Sequence, residues 1–153
     1  MGTGVAGRWV HSGAPIPWTP LAKTLPQCTI AFVSAAALAL NSDRPFDLQI
    51  ERLDPWFSDP SYRVLPRNTR TGEVQSFHLH INPAFVMQDL DCVMPLQRLA
   101  ELVALGEVGG SAPSHYSYIG YNLRPEQLLH ETLPAIIKRM RQEHVDAVVL
   151  VPV

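Results

Sequence analysis

The sequence predicts an α/β fold: a mostly parallel sheet with helices on both faces, incomplete at the C-terminus. Three observations predict it. Thr29-Ile-Ala-Phe-Val-Ser34 and Val145-Asp-Ala-Val-Val-Leu-Val151 are short, apolar and β-branched, the pattern of strands buried on both faces. Two segments with helical spacing of leucines and isoleucines lie between them. Strands alternating with helices imply crossover connections and hence parallel pairing.

Residues 1–27 read as an extended, Pro- and Gly-rich arm. Pro15, Pro17, Pro20 and Pro26 exclude a helix there, and Trp9 and Trp18 are expected to anchor the arm by burying aromatic area. Residues 28–153 form a single α/β domain, opening with the strand at Thr29. Asn41 to Pro60 is polar, carries Pro45, Pro55 and Pro60, and reads as irregular. Tyr62 to Leu65 is a short strand ended by Pro66, and Val74 to Ile81 is a second strand. A helix runs from Pro95 to Leu105, with Pro95 in its first turn and Gly106 at its C-cap. Leu96, Leu99, Leu102 and Val103 share its apolar face. A second helix spans Pro125 to Glu143 on a stripe of Leu128, Leu129, Ile136, Ile137 and Met140, with Pro134 kinking or restarting it. The strand from Val145 to Val151 has no helix after it, so the α/β unit reads as unfinished.

The chain has 153 residues, of which 46% are hydrophobic, which excludes wholesale disorder. Only 17% are charged, which hints at covered surface. The 12 basic and 14 acidic residues form no basic stripe, so nucleic acid is not an expected partner. The longest apolar stretch, Thr29 to Leu40, is too short to span a bilayer, and no membrane is expected either. Cys28 and Cys92 form no motif, and a cytoplasmic location is expected.

Three groups of residues could carry chemistry. On a strand, His78 and His80 would share one face and could bind a metal or grip a carboxylate. The plainer alternative is a polar strand face whose imidazoles are satisfied by backbone. Asp89 and Asp91 precede the Pro95 helix, where carboxylates cap and complement the positive helix end; catalysis is the alternative. His115 and Tyr116 lie in a polar, aromatic stretch beside Gly109-Gly110 that could approach a ligand, or could be a surface loop. His11, His130 and His144 read as surface residues, and both cysteines as buried and inert. Gly2-Thr-Gly-Val-Ala-Gly7 has no strand before it and fails as a dinucleotide loop.

Taken in order, several segments resemble one family over nearly the whole chain from Pro17. They are Pro17-Trp-Thr-Pro20, Ala31-Phe-Val-Ser-Ala-Ala36, Tyr62-Arg-Val-Leu-Pro66, Asp89-Leu-Asp-Cys-Val-Met-Pro-Leu-Gln-Arg-Leu99, Gly106-Glu-Val108, His115, Gly120, Glu131-Thr132 and Asp146-Ala-Val-Val-Leu150. The sequence resembles the selenoprotein B subunit of glycine/sarcosine/betaine reductase and the related D-proline reductase subunit. It departs in having Asp91 for the usual Asn and His144 for the common Gly, changes that bear on substrate more than on fold.

The resemblance implies reductive C–N cleavage of a small amino-acid-like substrate by a selenolate or thiolate, with other reductase subunits as partners and a possible homo-oligomer. The selenocysteine would fall just after Val153, so the chain carries no cofactor or redox nucleophile of its own and is expected to be a truncated form, its UGA codon read as a stop. His78, His80, Asp89, Asp91, His115 and Tyr116 are then candidates for substrate binding or proton transfer. The alternatives are a non-catalytic assembly subunit completed by a partner chain, or a small metalloenzyme using His78, His80 and His115.

Overall fold

A computed structural model describes residues 19–54 and 58–153; the expected anchors Trp9 and Trp18 lie outside them. The fold is α/β. Strand β1 (Thr29–Ser34) lies at the centre of the main sheet. Nearly every residue of it is buried, as its unbroken apolar run requires. On one side β1 pairs in parallel with β5 (Gly110–Ser111) and then β6 (Ser114–Tyr118), in effect one strand interrupted at Ala112-Pro113. β3 (Tyr62–Pro66) adds to β6 in antiparallel sense. On the other side β7 (Ala147–Val151) pairs in parallel with β1 over five residues, from Ile30 against Ala147 to Ser34 against Val151. The sheet is therefore mixed but mostly parallel, with one antiparallel strand that its sequence did not distinguish.

Alternation along β1 sends side chains to two cores. Ile30 and Phe32 face α2 (Pro83–Gln88) and α3 (Leu96–Ala104) through Val86, Leu96 and Leu99. Ala31 and Val33 face α4 (Leu133–Gln142) through Ile136 and Met140. Helices thus cover both faces, as expected. α3 ends as predicted, with Gly106 at φ +75° just past its last turn. Pro134 restarts the second helix: a π-helical turn, Leu128–Thr132, leads into α4 with Pro134 in its first turn.

Three local expectations are corrected. The stretch from Asn41 to Pro60 is not wholly irregular, because Leu48–Leu53 forms the short helix α1. The apolar run after β1 contains a further strand, β2 (Leu38–Leu40), antiparallel to β4 (Val74–Ser76). β4 ends five residues before Ile81. The Ser76 hydroxyl donates to Ala36 O (2.8 Å) and His78 Nδ1 accepts from His80 N (3.2 Å), so side chains take backbone groups that a longer ladder would use. His78 and His80 consequently lie on a turn and not on one strand face.

Candidate functional site at the carboxyl end of the central strand

The chain leaves β1 into Ala35-Ala36-Ala37, a small-residue turn in which Ala37 takes a left-handed conformation at φ 50°. That conformation is costly for a residue with a Cβ, and here hydrogen bonds on every side hold it. Ala35 N donates to Val151 O (3.0 Å), at the tip of β7. Gly120 N donates to Ala35 O (3.1 Å), Ala37 N to Tyr118 O (3.0 Å) and Phe77 N to Ala37 O (3.0 Å). Three segments therefore converge on this turn at the carboxyl end of the sheet, where open α/β folds bind ligands. Gly120 is required for the approach, since a Cβ there would stand 2.6 Å from the Cβ of Ala35.

His78, His80 and Tyr121 gather at this end. The rings of His78 and His80 lie 5.7 Å apart, edge to face, and His80 lies 5.3 Å from Tyr121 in the same manner. His78 is buried, while His80 and Tyr121 are exposed. Burial, aided by the charge of His80, pushes the His78 imidazole below its ordinary pKa, so it is neutral near pH 7. With Nδ1 accepting from His80 N, its Nε2 carries the proton and can donate to an anion. The His80 ring is exposed.

The other predicted residues lie elsewhere. His115 and Tyr116 are on β6, a buried strand and not a surface loop, and point to opposite faces. His115 Nδ1 accepts from Phe32 N (3.0 Å), its Nε2 lies 3.0 Å from Ser111 Oγ, and burial pushes its pKa down to about 4. Tyr116 packs with Ala31, Val33 and Ile136, and burial pushes its phenol up to about 12. His115 thus does not join His78 and His80. Among the described residues, no group of three or more His, Cys, Asp or Glu side chains is placed to hold a metal ion.

Asp89 and Asp91 act on backbone. Asp89 accepts from Asp91 N (2.9 Å), and Asp91 accepts from Gln97 N (3.0 Å) at the start of α3 while pairing with Arg98 (3.1 Å). This is the helix-capping role. Replacing Asp91 with Ala is expected to cost about 1 kcal/mol of stability, measured as a lowered urea midpoint. Cys28 is buried at the amino end of β1. Cys92 is exposed, against expectation, but partial burial and the nearby Asp89 push its thiol pKa up, which disfavours the thiolate.

A charged cleft lined by Asp43, Arg44, Asp47, Asp59, Ser61 and Arg63 is structural. Arg63 stacks 4.1 Å over Phe46 and donates to Arg44 O, Pro45 O, Tyr62 O and Ser61 Oγ. Tyr121 and Gly120 were not singled out as site residues, because only the fold brings them against the His78 turn. The nearest sequence signal is the small-residue run Ala35-Ala36-Ala37.

No helix among the described residues is long and apolar enough to cross a membrane. No family model matches the chain, and no solved structure matches it significantly. A curated relative does. The chain spans about half the length of that relative, the alignment covering 136 residues, 89% of this chain and 53% of the other. At 29% identity over that span, the chain is similar to the D-proline reductase subunit gamma of Acetoanaerobium sticklandii.

Proposed function

We propose that residues 1–153 form the substrate-holding part of a reductase-family subunit whose family reaction is reductive C–N cleavage of a small amino-acid-like substrate, of the D-proline, glycine, sarcosine or betaine type. The observation that carries the reading is the convergence of His78, His80 and Tyr121 on the turn beside the tip of β7. The similarity to a D-proline reductase subunit over 89% of the chain supports it independently.

In this reading the neutral His78 donates to the substrate carboxylate. In the family reaction the nucleophile is a selenolate or thiolate, which this reading places beside the tip of β7. Its bond to carbon forms as the C–N bond breaks, the electron pair goes to nitrogen, and His80 supplies the proton that nitrogen takes up. A thiolate of a partner subunit then attacks the selenium or sulfur, the carbon–chalcogen bond breaks as its electron pair takes a proton at carbon, and a dithiol reduces the resulting bond between the two chalcogens, itself becoming a disulfide.

Titrating isotope-labelled protein with D-proline, glycine, sarcosine and betaine tests binding without needing turnover. NMR shifts confined to His78, His80, Gly120 and Tyr121, lost in His78→Ala, are expected for one of the four. Shifts elsewhere, or none at millimolar ligand, would sink the reading.

A second reading, a non-catalytic assembly subunit completed by a partner chain, is favoured by the exposure of Val148, Val149 and Leu150 on β7. A chain that binds none of the four compounds but co-purifies with one defined partner would support it.

A further inference from the structure

The loop from β4 to α2 is held by side chains. Phe77 N donates to Ala37 O and Phe85 N to Asn82 O. Between them, among the described residues, no amide from His78 to Ala84 donates to a backbone carbonyl. Instead Ser76 Oγ accepts from His78 N (3.5 Å), His78 Nδ1 from His80 N (3.2 Å) and Asn82 Oδ1 from Ala84 N (3.0 Å). Each acceptor reaches the amide two residues on, the pattern by which a side chain closes a turn. A hydroxyl and a carboxamide accept at any ordinary pH. The imidazole is the one acceptor of the three that a proton can disable.

A neutral imidazole has one donor and one acceptor nitrogen, and a protonated one has two donors. With a proton on Nδ1, His78 would meet the His80 amide donor to donor, and turning the ring over offers only the other N–H. The His80 amide then loses the acceptor that closes the turn. That bond sets the backbone carrying the His80 ring, which lies edge-on to Tyr121 at 5.3 Å. The ionisable surroundings of His78 are few. His80 stands beside it at 5.7 Å, with Tyr121 behind His80. The elements packed around the turn, β2 (Leu38–Leu40), β4 (Val74–Ser76) and α2 (Pro83–Gln88), carry no ionisable side chain. No described carboxylate is set to hold a proton on His78, and burial and the charge of His80 both oppose one.

We propose that the His78 turn is a proton-operated latch: it is closed while Nδ1 accepts the His80 amide, and a proton on that nitrogen opens it and moves the His80 ring off Tyr121. The device is confined to the turn, because the bonds that tie its base to the end of β1, Phe77 N to Ala37 O and Ser76 Oγ to Ala36 O, involve no group that titrates. What the latch gates rests on the reading above, in which His78 and His80 hold the ligand. Opening then dismantles the ligand site on acidification, and this loss outweighs the attraction that a charged His78 has for a carboxylate.

The test is NMR on the ligand-free 153-residue chain from pH 7 to pH 5, with the amides of β1 as the control for an intact fold. At pH 7 the ring nitrogens of His78 are expected to show the proton on Nε2, and NOEs to join the His80 and Tyr121 rings. As His78 takes up its second proton, those NOEs should fade. Exchange of the His80 amide, corrected for the pH dependence of an unstructured amide, should quicken roughly tenfold. His78→Asn is the decisive variant, because its carboxamide oxygen can close the same turn without titrating. There the His80 protection and a structured turn should persist across the range, with His80 itself unchanged; His78→Ala should lack both at pH 7. A proton on Nδ1 at pH 7, a His78 still neutral at pH 5, a parent whose contacts survive its titration, or an Asn variant that opens like the parent overturns the proposal. Because no ligand is present, the latch can stand while ligand binding at pH 7 fails, or fall while binding succeeds.

Discussion

Replacing His115 with alanine is expected to cost about 3 kcal/mol at neutral pH and to flatten the loss of stability on acidification. The imidazole is wholly buried in β6 and stands in for a ladder partner: its Nδ1 accepts the Phe32 amide, and its Nε2–H faces Ser111 Oγ. Alanine leaves that amide buried and unpaired, and leaves a cavity beside Phe32, whose ring lies 5.4 Å from the imidazole. Protonating Nδ1 has the same consequence as losing it, which is a physical reason for the pKa of about 4. The sign follows from linkage. Below the unfolded value of 6.5 the unfolded chain takes up a proton that the folded chain refuses, so stability falls as pH drops from 6.5 to about 4 and levels off below. The total is on the order of 3 kcal/mol for a shift of this size. His78, lowered in the same direction, adds to the same slope. His115→Asn separates the two effects, because its amide oxygen can accept from Phe32 N without titrating. Urea midpoints from pH 7 to pH 5, above the range of the depressed Asp59 and Asp146 carboxylates, should show Asn recovering part of the stability and, like Ala, lacking the part of the slope that His115 supplies. An alanine variant with the parent's full slope would show that His115 is not the titrating group.

That histidine also marks where the sequence stopped being legible. β1 and α3 could be read because the information is local: an unbroken apolar run, and leucines at helical spacing closed by Gly106. Ser114-His-Tyr-Ser-Tyr118 has the composition of a loop, yet it lies between β1 and β3. Its polar atoms are satisfied inside the fold, Ser117 Oγ donating to Ser34 O and accepting from Leu38 N, and Ser114 Oγ donating to Glu143. No periodicity announces a polar strand whose partners are distant in sequence. The same holds for the site. The proximity of His78 and His80 was evident from their spacing, although a turn and not a strand creates it. Tyr121 joins them only because Gly120 is pressed against Ala35, a tertiary contact.

Gly109→Ala is expected to be strongly damaging, costing about 3 kcal/mol. Nothing in its own backbone demands glycine, since it has no left-handed φ. The demand is for space. A Cβ would lie 2.8 Å from Gln27 C and Pro26 O and 2.9 Å from Cys28 N. All three atoms are backbone of the 3₁₀ turn Leu25–Gln27 and its C-cap Cys28, which lead into β1, so no side chain can swing aside. The close approach is built into the sheet: Gly109 N donates to Leu25 O and Gly110 N to Cys28 O, the contacts from which the β1–β5 pairing starts. Pushing these segments apart would weaken the amino end of β1, while the His78 turn lies at the carboxyl end. Gly106→Ala provides the contrast. There a Cβ would meet nothing, but φ is +75°, so the cost is conformational alone and should be about 1 kcal/mol. Urea denaturation of the two variants separates crowding from backbone strain. Equal losses would mean that the turn before β1 yields, and that the packing of Gly109 is not what fixes the start of the sheet.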